Sequence, residues 1–208
     1  MKLTWFGHDT FLISAKNINI YIDPFQLPNG AQKADMILLT HTHFDHTSSE
    51  DIDKIKKAST QFVTTADSEI TENLHIMKPG DKEKIGEVSI DAVPAYNVNK
   101  NFHTKDKNWN GYIIALEGKR IYHTGDTDLI PEMGKIRCDV SLLPVSGTYV
   151  MTAEEAVEAA KRIKPKMAIP MHYGSIVGSD SDATTFKEKA EKAGINVTVL
   201  KKNGSVEI

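Results

Sequence analysis

The stretch Met36-Ile37-Leu38-Leu39-Thr40-His41-Thr42-His43-Phe44-Asp45-His46 decides how this chain is read. An apolar run of strand length passes directly into H-x-H-x-D-H, which gathers three imidazoles and a carboxylate within six residues. Neutral imidazole nitrogens and a carboxylate oxygen suit zinc, and nearly as well manganese, iron or nickel, so the donor set specifies a transition metal more sharply than it specifies which one. The segment is too short and too polar for a helix interior. As a loop leaving the C-terminal end of a buried strand, it can fold its side chains toward two adjacent centres. A solvated turn that happens to be rich in histidine would leave the matching pieces downstream unexplained.

Outward from that loop, short apolar runs bounded by turn residues alternate with amphipathic helical patterns, which predicts a mixed α/β fold. Leu3–Phe6, Thr10–Ser14 and Ile18–Asp23 read as successive strands, with turns at Gly7-His8-Asp9 and Lys16-Asn17. Met36–Thr40 is a buried strand, and a helix follows around Asp51–Ala58. Gln61–Thr65, Val88–Pro94, Gly111–Leu116 and Arg120–Thr124 continue the strands, the last two joined by a turn at Glu117-Gly118-Lys119. Asp139–Val145 is apolar enough for a central strand. After it, Thr152-Ala153-Glu154-Glu155 is a capping box, and Ala153, Ala156, Val157, Ala160 and Ile163 recur at helical spacing until Pro165. Met167–Met171 is the next strand, Asp182 is expected to cap a last helix ending at Gly194, and Val197–Leu200 and Val206–Ile208 close the chain as strands.

The 208 residues show no linker, repeat or low-complexity segment, so one domain over 1–208 is expected. A hydrophobic fraction of 40% and a charged fraction of 25% are those of an ordinary globular protein with a core that needs no covalent staple. Cys138 is the only cysteine, which rules out a disulfide within the chain, and its apolar setting predicts an inert buried thiol. Met1–Gly7 lacks the apolar core of a signal peptide and no run approaches a membrane span, so a cytoplasmic location is expected. A net charge of −3 disfavours nucleic acid as a partner and leaves a small-molecule substrate, with homo-oligomerisation open.

The metal-type residues fall just beyond strand ends: Asp23, His41 to His46, Asp126 and His172. In open α/β sheets ligands gather at the carboxyl edge of the strands, so residues far apart in sequence can serve one pocket. Together Trp5-Phe6-Gly7-His8, Tyr21-Ile22-Asp23-Pro24, the H-x-H-x-D-H loop, His123-Thr124-Gly125-Asp126-Thr127 and Pro170-Met171-His172-Tyr173-Gly174 resemble, in this order, the metallo-β-lactamase-fold hydrolases. Within them the chain looks most like the metal-dependent hydrolase branch near L-ascorbate-6-phosphate lactonase and N-acyl phosphatidylethanolamine phospholipase D. The resemblance implies a four-layer αββα sandwich of the α/β (α+β) class with two divalent metal ions, zinc foremost and manganese or iron as alternatives. By the same resemblance His41 and His43 hold the first ion, Asp45, His46 and His172 hold the second, and Asp126 bridges them. A metal-bound hydroxide would then attack an ester-type substrate, a phosphodiester or a phosphate-bearing lactone, with Asp45 and Asp126 orienting or deprotonating it.

One departure stands out. Relatives of this kind usually supply a third histidine to the first metal where this chain has Tyr96-Asn97. His103 can substitute, Asn97 can offer its carbonyl oxygen, or the first site is weak and one ion is held tightly. His8, His123 and Asp23 are expected to orient ligands or line the pocket rather than to touch metal, and His75 to face solvent. Asn97, Ser146 and Thr148 are candidates for substrate contact, as is a lid at 97–110 carrying Lys100, Lys105 and Lys107 for an anionic substrate. A sugar-phosphate lactonase is the nearest alternative enzyme. A non-catalytic metal-binding relative is the alternative outside enzymes, although a purely structural site would close its coordination shell.

Overall fold

Antiparallel hairpins open the chain, as the early turn signals predict. In the computed structural model, which describes residues 1–208, β1 (Lys2–Gly7), β2 (Thr10–Ala15) and β3 (Ile18–Ile22) pair in sequence order. The chain then changes habit: β4 (Met36–Leu38), β5 (Gln61–Thr64) and β6 (Leu74–Ile76) add in parallel, with α1 (Ser49–Ile55) crossing between β4 and β5. This sheet belongs to one compact unit, Met1–Met77 with Leu200–Ile208. A second unit, Lys78–Val199, holds β7 (Lys82–Ile85), β8 (Val88–Pro94), β9 (Asn110–Leu116), β10 (Lys119–His123), β11 (Val140–Pro144) and β12 (Met167–Met171) in spatial order. It also holds α2 (Ala153–Ile163) and α3 (Asp180–Lys192). The last strand, β13 (Ser205–Glu207), returns to the first sheet beside β1.

These topologies place the chemistry. β3 and β4 are parallel, with Ile22 opposite Leu38, so the segments leaving them start at one sheet edge. In the second unit β10, β11 and β12 are parallel, and β8 runs in their direction because two antiparallel pairings separate it from β10. The segments after β8, β10, β11 and β12 therefore leave one edge, where such sheets bind ligands.

Each sheet is anchored by burial. Phe6, Leu12, Tyr21, Ile37, Leu39, Ile52, Ile55 and Phe62 form one core cluster in the first unit. In the second, α2 buries Ala153, Ala156, Val157, Ala159, Ala160 and Ile163, the periodic face expected. Its capping box is present, Thr152 Oγ1 accepting from Glu155 N and Glu155 accepting from Thr152 N. The turn between β9 and β10 has positive φ at both Glu117 (51°) and Gly118 (75°), the conformation that fits the twist of a two-residue hairpin.

Three sequence expectations need correction, the first being the helix expected around Asp51–Ala58, which runs Ser49–Ile55 because Ser48 caps it and Lys56 is already extended. The last helix starts earlier, at Asp180 after Ser179, and Asp182 sits at its third position, where its carboxylate reaches back to accept from Ser179 N (2.8 Å). Val197–Leu200 makes a single bridge, Ala168 to Val197, and no strand, because it lies at the rim of a sheet already closed by β12. β6 and β7 went unread because both are outermost strands with little apolar pattern. Lys82-Glu83-Lys84-Ile85 carries the alternating charge by which exposed edges resist further pairing. No helix is long and apolar enough to cross a membrane.

Asp51 ties α1 to the segment after β3. Its buried carboxylate accepts from Gln26 N (2.7 Å), Leu27 N (3.0 Å), Ser48 Oγ (2.8 Å) and Lys54 Nζ (2.9 Å). Burial alone would raise its pKa. The bonds from Lys54, Ser48 and the two backbone amides outweigh that and hold it below the ordinary 3.8. Asp51→Ala is expected to lower the unfolding free energy at neutral pH by about 2–4 kcal/mol in urea denaturation. Because the folded value is the lower one, this contribution is complete above the unfolded pKa and is lost as pH falls through the folded one. The gap between parent and variant should therefore narrow below about pH 4.

Candidate metal centre

In the first unit the H-x-H-x-D-H loop is built around a carboxylate outside it. Asp23, fully buried after β3, adopts a left-handed backbone (φ 46°) and donates its N–H to Leu38 O at the end of β4 (3.0 Å). Its Oδ1 accepts from Thr40 N (2.8 Å), and its Oδ2 accepts from Thr40 Oγ1 (2.7 Å) and lies 2.8 Å from His46 Nδ1. Thr40 Oγ1 also lies 2.9 Å from His41 Nδ1.

Protonation follows from these partners. An ionised carboxylate only accepts, so His46 carries its proton on Nδ1 and its lone pair on Nε2. Thr40 gives its single hydroxyl proton to Asp23, so His41 Nδ1 must be the donor to Thr40 Oγ1, and His41 likewise presents a lone pair at Nε2. His41 Nε2 stands 3.0 Å from His43 Nδ1. Asp45 Oδ2 accepts from His8 Nε2 (3.0 Å) and lies 3.9 Å from His46 Nε2.

The second unit repeats the device. His172 follows β12 with φ 59°, and its Nδ1 lies 3.0 Å from Ser146 Oγ, which donates its own proton to Thr148 O (3.3 Å). His103 is buried, its backbone N–H donating to Asn97 Oδ1 (2.9 Å) and its Nδ1 3.2 Å from the same oxygen. Asn97 cannot be turned the other way round, because its Nδ2 donates to Tyr149 O (2.7 Å). Both imidazoles therefore carry a proton on Nδ1 and face Asp126 Oδ2 with Nε2, at 3.3 Å from His103 and 3.2 Å from His172. Two imidazole nitrogens and a carboxylate oxygen thus meet in the second unit, donor types that suit a transition metal.

Asp23 and His8, expected to orient ligands, are hydrogen-bonded to residues of the loop, and His123, fully buried, accepts from Gly125 N through Nδ1 (3.2 Å). Asn97 and Ser146, expected at the substrate, spend their side chains on His103 and His172. At Ser146-Gly147-Thr148 the Gly147 N–H is engaged with Met151 O (2.9 Å). The loop lysines are turned to partners: Lys100 to Asp128, Lys105 to Glu132 and Tyr96, and Lys107 over the Trp109 ring. His75 lies in β6 with Nε2 3.1 Å from Gln61 Oε1. Burial drives the Cys138 thiol up to about 12, so it stays protonated at neutral pH. Sequence reasoning missed Thr40, Asp9 and Asp128. Asp9 is fully buried 3.9 Å from His46 Nδ1, and Asp128 accepts from Val98 N (2.8 Å) at the root of the 97–103 loop. Each adjoins a residue already singled out, the only signal available for it.

The β-lactamase superfamily domain matches residues 2–172. A UPF0173 metal-dependent hydrolase of Archaeoglobus fulgidus is 33% identical, covering 96% of this chain and 95% of its own. One from Thermoplasma volcanium is 34% identical over 100% of this chain and 99% of its own. Among solved structures, Igni18, a metallo hydrolase from the hyperthermophilic archaeon Ignicoccus hospitalis, superposes with a TM-score of 0.82 at 29% identity, covering 99% of this chain and 97% of that one.

Two substitutions test the positioning of the imidazoles. Thr40→Val removes the link from Asp23 to His41 at nearly constant volume, and Asp23→Ala removes it together with the hold on His46. Each is expected to weaken metal affinity about 10- to 100-fold in competition with a chromophoric chelator, with Asp23→Ala the larger effect and His75→Ala indistinguishable from the parent.

Proposed function

Since the chain belongs to the β-lactamase superfamily and, within it, to the UPF0173 metal-dependent hydrolases, we propose that it hydrolyses an ester-type bond in a small molecule of the cytoplasm, a phosphodiester or a phosphate-bearing lactone. The observation that carries this reading is the shared bonding of His41, His46, His103 and His172, each held at Nδ1 by an oxygen, with Asp45 and Asp126 as the carboxylates of the two units. Partners at Nδ1 that fix the ring leave Nε2 as the atom available to a metal.

We assign His41, His43, Asp45 and His46 in the first unit, and His103, Asp126 and His172 in the second, as ligands of two divalent ions, zinc foremost. His103 takes the place of the missing third histidine. The 97–103 loop closes on itself through Asn97 N to His103 O (2.7 Å) and through the Asn97 side chain, so the residue at the expected ligand position delivers a ligand six positions later. Bound ions would supply Lewis acidity, which brings the pKa of a water from about 15.7 toward about 7 and polarises the oxygen of the bond under attack.

Asp45 is the more exposed of the two carboxylates, at 15% against 4% for Asp126, and His8 fixes its orientation. Asp45 is therefore placed to take the proton of the attacking water. As the water oxygen bonds to carbon or phosphorus, the bond to the leaving alkoxide breaks and that alkoxide receives the proton. Asp126, held between two imidazoles, keeps its charge for binding.

Elemental analysis of the purified protein should return about two divalent ions per chain, and chelation should abolish hydrolysis of a phosphodiester and lactone panel until zinc or manganese is restored. One ion or fewer per chain would refute the two-ion assignment. His103→Ala should lower the metal content, and an unchanged content and affinity would remove His103 from the ligand set.

A further inference from the structure

Large apolar side chains left in solvent are unevenly placed. The second unit exposes five: Val98 (63%), Phe102 (55%), Tyr149 (38%), Ile176 (41%) and Val199 (38%). All but Val199 lie in the loops after β8, β11 and β12, the same loops that carry Asn97 and His103, Ser146, and His172. Phe102 immediately precedes His103, and its ring meets that of Tyr149 edge to face at 4.5 Å between centroids.

The pair is built into the centre. Asn97 donates through Nδ2 to Tyr149 O and accepts through Oδ1 from His103 N, so one amide ties the aromatic pair to a metal-type histidine. Tyr149 also holds φ at 67°, in the left-handed region that a bulky side chain rarely adopts. A strained backbone presenting an exposed ring beside buried ligating groups is a pattern of ligand clamps. The lysines of this segment offer the opposite of a cationic lid, since Lys100 and Lys105 are engaged with Asp128 and Glu132.

We propose that Phe102 and Tyr149 form a subsite for an apolar alkyl or aryl substituent of the substrate, so that the group flanking the scissile bond is hydrophobic rather than a second anion. This rests on the hydrolase reading and narrows its substrate class. The subsite gains affinity by removing apolar surface from water, so recognition grows with the length of the substituent.

The test is calorimetric binding of methyl-, butyl- and hexylphosphonate to the metal-loaded protein and to Phe102→Ser and Tyr149→Asn, the second chosen because asparagine tolerates a left-handed backbone. The parent should gain about two- to fourfold in affinity per methylene, and both variants should flatten that dependence. A parent indifferent to chain length, or variants with the parent's full dependence, would overturn the proposal. Turnover of p-nitrophenyl alkyl phosphodiesters and alkyl-substituted lactones is measured alongside. Chain-length-dependent binding without turnover of either series would leave the apolar subsite standing and count against the hydrolase reading instead.

Discussion

Everything at the first unit's centre depends on a single buried negative charge. Asp23 is removed from water, which is costly unless the carboxylate is fully hydrogen-bonded. Its partners are the backbone and hydroxyl of Thr40 and the ring of His46, at 2.7–2.8 Å. Satisfying the carboxylate therefore also sets the start of the H-x-H-x-D-H loop, the tautomer of His46 directly and that of His41 through the threonine hydroxyl. Stability and metal readiness are thereby the same interaction seen from two sides. The second unit reaches the same end with neutral groups, Asn97 and Ser146, around Asp126.

Much of this was legible in the amino-acid order. Periodicity located β8 at its observed bounds and found α2 with its capping box, because those elements bury one regular face, while β12 was found by its unbroken apolar run. The metallo-β-lactamase fold was legible because H-x-H-x-D-H concentrates its metal-type side chains in consecutive residues. What could not be read is what depends on distant pairing. β6 and β7 carry edge-strand composition, and the start of α3 turns on whether Ser179 or Asp182 caps it, which only the backbone settles. The orienting roles of Thr40, Asn97 and Ser146 are likewise invisible in sequence, since hydroxyls and amides are common and only their partners distinguish them.

The departure at Tyr96-Asn97 shows how a local change can be absorbed. Tyr96 turns its hydroxyl to Glu132 (3.0 Å) and Asn97 Oδ1 accepts from His103 N, so both side chains serve as scaffold for the segment. The six-residue excursion that follows brings His103 to Asp126 and sets Phe102 beside Tyr149. One rearrangement thus bears on both the donor set and the surface next to it.

The return of β13 to β1 has a consequence for how the chain is made. Lys2 pairs with Glu207 and Leu3 with Val206, so one edge of the first sheet joins residues far apart in the sequence. Non-local pairings of this kind carry a large loop-closure cost and form late, whereas the second unit, Lys78–Val199, is continuous in sequence. During synthesis the outer edge of β1 stays bare until β13 emerges. That bare edge is the point at which a nascent chain of this protein is most open to pairing with a neighbour, and its exposure lasts as long as translation of everything between.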